Sequence, residues 1–289
     1  MFKANGVSSI KTYQPLTKAK PDGNVARDLL PDNDDSWAAF AQIFRNTSDP
    51  LPAPWAELFG PLRIAGLDGL TVVGQIGQSL DGRIATTSGH SHYINGPAGI
   101  THLHRLRSLV DAVVIGVGTA LADDPQLTVR RCAGPNPARV IVDPSGRLPA
   151  GAKVFADDGT RRILIAAEAT SCVLPAGVET VGLPATDGII TPPAILAALA
   201  ARGLRRVLVE GGANTVSRFL AAGCLDRMHV TVAPIILGSG RSGFILPAVE
   251  RADEALRLPM RSYQLGDEVL FDCDLSAQRV AVGRAKIST

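Results

Sequence analysis

The stretch from Thr71 to Arg130 constrains the fold of this 289-residue chain more than any other part of it. It begins with an apolar run rich in β-branched residues, Thr71–Gly77, and reaches a second such run at Ala112–Ile115. Between the two runs, Pro97 opens a segment whose apolar residues recur at helical spacing. Two strands joined through a helix predict a βαβ-like unit, and therefore a mainly parallel sheet.

Glycines and polar residues directly follow these two predicted strands. Ligands of open α/β sheets bind beyond the carboxyl ends of the strands, so a binding site is expected at this edge. The candidate residues there are Asp81, Gly116, Gly118, Thr119, Asp123 and Asp124.

Strands and helices continue to alternate after Arg130. Strands are predicted at residues 139–143, 162–166 and 206–209, and helices at residues 192–202 and 213–222. Two long strands at residues 227–236 and 268–275 close the chain, and we expect them to run antiparallel at one edge. The pattern predicts an α/β fold with a mainly parallel central sheet, flanking helices and an antiparallel edge.

Residues 1–69 differ from the main domain predicted at residues 70–289. They contain seven of the 20 prolines, which excludes a continuous central sheet here. One helix is expected at residues 35–45, with an apolar face that includes Trp37 and Phe44, and a short apolar cluster surrounds Trp55. The extension is interpreted as an arm packed on the main domain or on a partner subunit. A partly disordered leader is an equal alternative for about the first 30 residues.

Composition excludes several classes of protein. A net charge of +2 and an aromatic content of 4% do not suit a nucleic-acid binder. The four cysteines form no Cys-x-x-Cys pair, which fits a reducing compartment. Neither a signal peptide nor an apolar run long enough for a membrane span is recognisable. The chain is therefore expected to be cytoplasmic, without nucleic-acid or membrane partners.

Two glycine turns follow apolar strands, Gly116-Val117-Gly118-Thr119 and Glu210-Gly211-Gly212-Ala213-Asn214. Glycine lets backbone N–H groups approach a phosphate closely, so two such turns could hold a dinucleotide. Each turn considered singly is better explained by the steric needs of a strand-to-helix connection. A Rossmann site is excluded because the third glycine is missing and Asp123-Asp124-Pro125 interrupts the following helix.

Four of the five histidines, His90, His92, His102 and His104, lie close together in the sequence. His102 and His104 are two residues apart on a predicted helix and point in different directions, so a shared metal ion is not expected. We interpret them as surface or hydrogen-bonding histidines, with His104 a candidate to orient the neighbouring loop.

A set of charged residues could bind a phosphorylated substrate. Arg107 and Arg130 suit phosphate contacts, and Glu210 at a strand end could orient a polar group. An ordinary intramolecular network of arginines and carboxylates explains the same residues nearly as well.

Four segments resemble the reductase domain of riboflavin biosynthesis proteins, the pyrimidine reductase family with a dihydrofolate-reductase-like fold. They occur in the family's order between about Thr71 and Leu275: SLDGRIA (79–85), SGHSHYI (88–94), HRLRSLVDAVVIGVGTALADDPQLTVR (104–130) and VLVEGGANTVSRFL (207–220).

The resemblance implies NADPH-dependent reduction of 5-amino-6-(5-phosphoribosylamino)uracil to its ribitylamino counterpart by a homodimer. It implies cofactor contacts from Gly77, Tyr93, Thr119, Asp123 and Gly212-Ala213-Asn214. Gly116, Gly118 and Gly211 are added as cofactor candidates by the argument from the glycine turns. It implies substrate contacts from Ser91, Arg107, Leu127, Arg130 and Glu210, with the two arginines near the phosphate. Asp81 and Glu210 are the candidates for handling the proton, and a purely orienting role for them stays open.

Some residues depart from the family pattern. Fused members carry a zinc deaminase with His-x-Glu and Pro-Cys-x-x-Cys motifs, which are absent here, so a separate deaminase is expected in the pathway. Gln75 replaces a basic residue and Tyr93 replaces a tryptophan, which leaves the substrate open. Reduction of dihydrofolate or another heterocycle, and a non-catalytic nucleotide-binding module, remain alternatives. Ser145 and Arg147 are candidates for selecting NADPH over NADH.

Overall fold

The computed structural model describes residues 34–46, 48–92 and 94–282 of the chain. Its helices are α1 (Asp34–Asn46), α2 (Trp55–Phe59), α3 (Pro97–Leu109), α4 (Val117–Asp123), α5 (Pro192–Ala200) and α6 (Ala213–Ala221). Its strands are β1 (Thr71–Ser79), β2 (Arg83–Thr86), β3 (Ala112–Gly116), β4 (Ala138–Val142), β5 (Arg162–Ala167), β6 (Val178–Leu183), β7 (Arg206–Glu210), β8 (Arg227–Ala233), β9 (Gly240–Ser242), β10 (Met260–Leu265) and β11 (Glu268–Asp274).

Nine strands form one sheet in the order β10-β11-β8-β1-β7-β3-β4-β5-β6. All pairs from β8 to β6 are parallel, and the two pairs that involve β11 are antiparallel. The central strands are apolar and β-branched because helices and loops bury both of their faces. The predicted α/β fold, with its parallel centre and antiparallel edge, is confirmed.

The pairing of β8 differs from its prediction. It was expected to lie antiparallel at the edge together with β11, yet it runs parallel to β1 on one side and antiparallel to β11 on the other. The reversal therefore begins one strand later than the sequence suggested. A long apolar strand carries no local signal for the direction of its neighbour, since both pairings bury the same side chains.

The two strands of the predicted βαβ-like unit are parallel but not adjacent. Strand β7 lies between β1 and β3 and pairs with both. Because β7 and β3 are neighbours, the two glycine turns that follow them lie side by side. This insertion of a strand from much later in the chain creates the site described below.

Several short or exposed elements were not predicted. They are β2 and β9, which form a separate two-stranded sheet, and β6 and β10, which are the two edges of the main sheet. Most residues of β6 and β10 are partly or fully exposed, so neither strand shows the apolar pattern of a core strand.

Helices α1 and α2 bury the apolar faces predicted for them. Trp37, Phe40, Phe44, Trp55 and Phe59 are almost completely buried. They belong to the same hydrophobic core as residues of α3, β3 and the β10–β11 hairpin. Residues 34–46 and 48–63 thus pack on the main domain, while residues 1–33 and 47 of the predicted extension lie outside the described residues. The domain boundary at residue 69 stays a prediction.

None of the helices in residues 34–46, 48–92 and 94–282 combines enough length with enough apolar character to cross a bilayer.

Candidate active site

A cleft of about 860 Å³ opens at the carboxyl ends of β1, β3, β4 and β7. This is the edge at which the sequence predicted a site. Of the residues predicted to bind cofactor or substrate, those that line the cleft are Gly77, Ser91, Gly116, Gly118, Thr119, Asp123, Gly211, Gly212, Ala213 and Asn214. Tyr93, also predicted to contact the cofactor, lies outside the described residues.

The two glycine turns interlock at the floor of this cleft. A Cβ atom on Gly116 would lie 2.4 Å from Thr215 Oγ1, and one on Gly212 would lie 2.5 Å from Thr119 Oγ1. Gly211 and Gly212 also have positive φ angles of 61° and 49°, which side chains rarely adopt. Each threonine therefore occupies the space left by the other turn's glycine, so the two turns can pack this closely only while these positions are glycine.

Gly77 is required for a different close approach. A Cβ atom there would lie 1.8 Å from Oδ1 of Asn95, whose side chain lines the cleft. Asn95 Nδ2 donates to Glu268 Oε1 at 2.8 Å. Glu268 also accepts hydrogen bonds from the backbone N–H groups of Gly96 and Gly99, which caps the beginning of α3. Sequence reasoning missed Asn95 and Glu268 because their partners lie 169–173 residues apart.

Arg107 and Glu210 form a buried, two-pronged salt bridge. Arg107 Nε and Nη2 each donate to one Glu210 oxygen at 2.7 Å, and both side chains are less than 10% exposed. Arg107 Nη1 donates to the carbonyl of Thr128 at 3.1 Å. The bridge lies behind the second glycine turn and does not line the cleft. Arg107 and Glu210, both predicted to contact the substrate, therefore contact each other. This is the intramolecular pairing that the sequence analysis gave as an alternative.

Arg130 lies on the loop that follows α4. Its backbone N–H donates to Nδ1 of His104 at 2.9 Å, while its side chain is exposed. Partial desolvation of this side chain, followed by the nearby cations Arg107 and Arg131, lowers the pKa of Arg130, and the second of these causes places further positive charge near it. Leu127, the other predicted substrate residue on this loop, has a φ of 56° and packs into the core.

Asp81 holds a turn outside the cleft lining. Its carboxylate accepts hydrogen bonds from the Ser79 hydroxyl and from the backbone N–H groups of Leu237 and Gly238. These bonds, led by that from Ser79, lower the pKa of Asp81 to about 2. At neutral pH the group is ionised, so it can accept a proton but cannot donate one.

The histidines on α3 are not at the surface, contrary to one part of their interpretation. His102 is completely buried, and its Nε2 lies 2.9 Å from Nδ1 of His229, while His104 is 3% exposed and accepts the Arg130 bond. Both are hydrogen-bonded, as the alternative part of the interpretation stated. Within residues 34–46, 48–92 and 94–282, no group of His, Cys, Asp and Glu is arranged to hold a metal ion.

Burial of His104 leads to a prediction about acid stability. Desolvation, then the charges of Arg107, Arg130 and Arg131, lower its pKa from 6.5 to about 3. The unfolded chain therefore binds more protons at this residue below about pH 6.5, so the free energy of unfolding falls as the pH falls. His104→Gln, which keeps an acceptor but cannot titrate, is expected to weaken this dependence between about pH 6.5 and 5 in urea unfolding.

His92→Gln provides the matched control because His92 is exposed. Equal pH dependence of unfolding in wild-type protein, His92→Gln and His104→Gln would contradict the assignment of a neutral His104.

Three arginines line the cleft, and sequence reasoning named only the first of them: Arg147, Arg218 and Arg241. Arg218 lies one helical turn after Asn214 on α6, so the two side chains share the face of the helix that borders the cleft. That spacing was visible in the sequence. Arg241 lies on the short strand β9, which gave no such signal.

Fold and cleft together define an α/β domain whose cleft lies at the carboxyl ends of parallel strands and is floored by two glycine turns. Residues 71–271 match the model of the RibD C-terminal domain, and the chain belongs to this family.

Relatives and solved structures agree with this membership. The chain is 35% identical over 211 residues to the 2,5-diamino-6-ribosylamino-4(3H)-pyrimidinone 5′-phosphate reductase of Methanothermobacter thermautotrophicus, covering 67% of this chain and 93% of that protein. It is 32% identical to the riboflavin biosynthesis protein RibD of Aquifex aeolicus, covering 67% of this chain and 54% of that one.

The fold is also similar to the crystal structure of a diaminohydroxyphosphoribosylaminopyrimidine deaminase/5-amino-6-(5-phosphoribosylamino)uracil reductase from Thermotoga maritima. The TM-score is 0.61 at 29% identity, over 71% of this chain and 56% of that one. The chain thus spans nearly all of the archaeal reductase and about half of the RibD proteins it matches.

Proposed function

We propose that this protein reduces a 6-ribosylaminopyrimidine 5′-phosphate to its ribitylamino form in riboflavin biosynthesis, with NADPH as reductant. The observation that carries the proposal is the interlocked pair of glycine turns, which forms the cleft floor beside the Arg107–Glu210 bridge. The names of the archaeal relative and of RibD support the same reaction.

The reductase family implies a nicotinamide cofactor, and the cleft fits one. Gly116 and Gly212 let the two turns pack closely at the cleft floor, no heavy atom lies within 4 Å of the Cβ position of Gly118, and the cleft arginines Arg147, Arg218 and Arg241 supply positive charge for a diphosphate. Gly77, Tyr93, Thr119, Asp123 and Asn214 are the further cofactor contacts that we propose. When bound, the cofactor supplies hydride for the substrate carbon.

The chain's own residues bind and orient the substrate. Arg130, beside Arg107, offers its guanidinium to the substrate phosphate, and Ser91, whose Oγ lies 3.3 Å from Asp123 Oδ1, borders the cleft. Glu210 fixes Arg107 and, through the turn that follows it, the edge of the cleft. Most of the rate enhancement comes from holding the opened ribosylamine carbon against the reductant. Asp81 is ionised and does not line the cleft, so it keeps an orienting role at its turn, and the proton that the substrate nitrogen takes up comes from water.

The substrate phosphate gives a direct test. Loss of NADPH absorbance is expected with 5-amino-6-(5-phosphoribosylamino)uracil or with its 2,5-diamino-pyrimidinone counterpart, the two forms named for the relatives. Dihydrofolate and the dephosphorylated pyrimidines are the controls, since neither uses an arginine site for phosphate. Equal turnover of dihydrofolate, or NADPH binding without turnover of either pyrimidine, would sink the proposal.

Arg147 is proposed to select NADPH over NADH, with Ser145 beside it. It lines the cleft directly after β4, where a 2′-phosphate would add negative charge. Arg147→Gln is expected to raise the KM for NADPH about tenfold, equivalent to about 1.4 kcal/mol, and to leave the KM for NADH unchanged. Arg251→Gln, at an exposed arginine, is the control. A parallel rise in both KM values would remove Arg147 from this role.

We further propose a cytoplasmic homodimer that works beside a separate deaminase. All four cysteines are free thiols, which suits a reducing compartment.

Ile236 is 73% exposed and adjoins exposed Leu80, whose N–H donates to the Ile235 carbonyl, and these side chains offer an apolar contact for a second subunit. Ile236→Asp is expected to shift sedimentation toward the monomer. Ile64→Asp, at a residue 71% exposed, is expected to have no effect, and a monomeric wild-type protein would contradict the proposal.

A further inference from the structure

Three of the hydrogen bonds that hold the loop carrying Arg130 to the rest of the domain lie between Thr128 and Ala133. Arg107 Nη1 donates to the Thr128 carbonyl at 3.1 Å, and the Arg130 N–H donates to His104 Nδ1 at 2.9 Å. The third bond runs from Trp37 Nε1 to the Ala133 carbonyl at 2.9 Å. Two of the donors or acceptors thus belong to α3, and the third belongs to α1, outside the family match at residues 71–271.

Trp37 is fixed firmly enough to act as an anchor. Its side chain is fully buried, and its ring centroid lies 5.1–5.3 Å from those of Phe40, Trp55 and Phe59. The Arg105 guanidinium lies 5.3 Å from the same ring. A buried indole N–H usually donates to an acceptor, and for Trp37 that acceptor is the Ala133 carbonyl.

Helix α1 is in turn locked to α3 by Arg45. Its Nε and Nη2 donate to the Ser108 carbonyl at 2.8 Å and 2.7 Å, and Nη2 also donates to the Val110 carbonyl at 3.0 Å. These are carbonyl groups at the end of α3, one turn beyond His104 and beside Arg107. The same short helix therefore contacts both segments that carry the proposed phosphate ligands.

The loop needs such anchoring because like charges crowd it. Arg107, Arg130 and Arg131 interact electrostatically, and among the described residues only Arg107 is paired with a buried carboxylate. Repulsion between Arg130 and Arg131 therefore favours a more open loop, which hydrogen bonds to the loop backbone oppose. His104 holds the backbone at Arg130 itself, and Trp37 holds it three residues later.

We propose that Trp37 is a positioning residue for the substrate phosphate: its indole N–H fixes the loop at Ala133 and so keeps Arg130 beside Arg107. This inference rests on the proposed function, which assigns Arg130 to the substrate phosphate. It gives the N-terminal helices a part in substrate binding that the family-matched region does not supply by itself.

Trp37→Phe and Trp55→Phe form a matched pair for the test. Both keep an aromatic ring in the same cluster, but among the described residues the Trp55 Nε1 has no hydrogen-bond partner, so only Trp37→Phe loses a bond. Trp37→Phe is expected to raise the KM for the phosphorylated pyrimidine about fivefold, the equivalent of one lost hydrogen bond, with kcat and the KM for NADPH unchanged. Trp55→Phe is expected to leave all three values unchanged.

Amide hydrogen exchange of residues 128–133 in the full-length proteins gives a readout independent of activity. Faster exchange is expected in Trp37→Phe than in wild-type protein or Trp55→Phe. Equal exchange in the two variants would show that the Trp37 N–H does not hold the loop at Ala133. Faster exchange without a change in the substrate KM, or an equal rise in the KM for NADPH, would overturn the positioning role. A wild-type protein that turns over neither pyrimidine would contradict the proposed function instead, and the exchange comparison would still decide on the tether.

Discussion

Glu210→Gln is expected to lower the free energy of unfolding by about 3–5 kcal/mol, because it leaves the Arg107 guanidinium buried without its carboxylate. The two side chains are less than 10% exposed and share two bonds of 2.7 Å. Substrate binding is expected to fall with stability, since the bridge supports both the second glycine turn and the loop at Thr128. Urea unfolding measures the first effect, and the KM for the phosphorylated pyrimidine at permissive temperature measures the second.

Glu179→Gln is the matched control for this prediction. Glu179 also forms a two-pronged bridge, with Arg161, but both side chains are 38–39% exposed. Its loss is expected to cost no more than about 1 kcal/mol. The double variant Arg107→Met with Glu210→Gln is expected to be more stable than the sum of the single changes predicts, because no charge is left unpaired. Equal, small losses in the free energy of unfolding for the Glu210 and Glu179 variants would contradict the prediction that the buried bridge stabilises the fold more than the exposed one.

Gly212→Ala is expected to weaken NADPH binding by at least about tenfold, or about 1.4 kcal/mol. The Cβ atom of the alanine would lie 2.5 Å from Thr119 Oγ1, and the residue would have to keep a φ of 49°. Relief of the contact requires either the second turn or Thr119 to move, and both line the cleft. Fluorescence titration of NADPH measures the loss.

Gly203→Ala separates the two causes of this effect. Gly203 has a φ of 77°, but no heavy atom lies within 4 Å of the position of its Cβ. It is therefore expected to cost about 1 kcal/mol of stability and no NADPH affinity. Unchanged NADPH binding in Gly212→Ala would remove the glycine turns from the cofactor site.

The sequence predicted the centre of the sheet well because its strands are buried on both faces. For example, Val113 and Val114 of β3 and Val207 and Leu208 of β7 are completely buried. Such apolar, mostly β-branched runs predict buried strands, whichever strands they pair with. The edges were different. Met260 and Arg261 of β10 are exposed, and a strand of this kind is defined by its pairing with β11 rather than by its own residues.

The candidate site was predicted in its local parts but not in its contacts. The glycine turns are consecutive residues, and their position after apolar strands was sufficient to locate them. The bond between Arg107 and Glu210 spans 103 residues, and it depends on β7 lying between β1 and β3, which no local pattern specifies. The bond from Trp37 to the Ala133 carbonyl spans 96 residues and ends on a backbone oxygen, so no residue type marks it.

The histidines show the same limit in another form. His102 and His104 are two residues apart and do face different surroundings, as helical geometry predicts. The sequence did not predict that both surroundings are internal. Phe59 stacks on His102 with ring centroids 5.5 Å apart, and the loop at Arg130 covers His104. The two histidines of α3 are therefore buried by different elements on different sides of the helix.

The transfer of deuterium tests the central claim most directly. Wild-type protein would be incubated with NADPH deuterated at nicotinamide C4 and with 5-amino-6-(5-phosphoribosylamino)uracil, and the product analysed by mass spectrometry and NMR. The account predicts a phosphoribitylamino product with deuterium on the former anomeric carbon. NADPH oxidation without this product, or transfer to dihydrofolate and to neither phosphorylated pyrimidine, would contradict it.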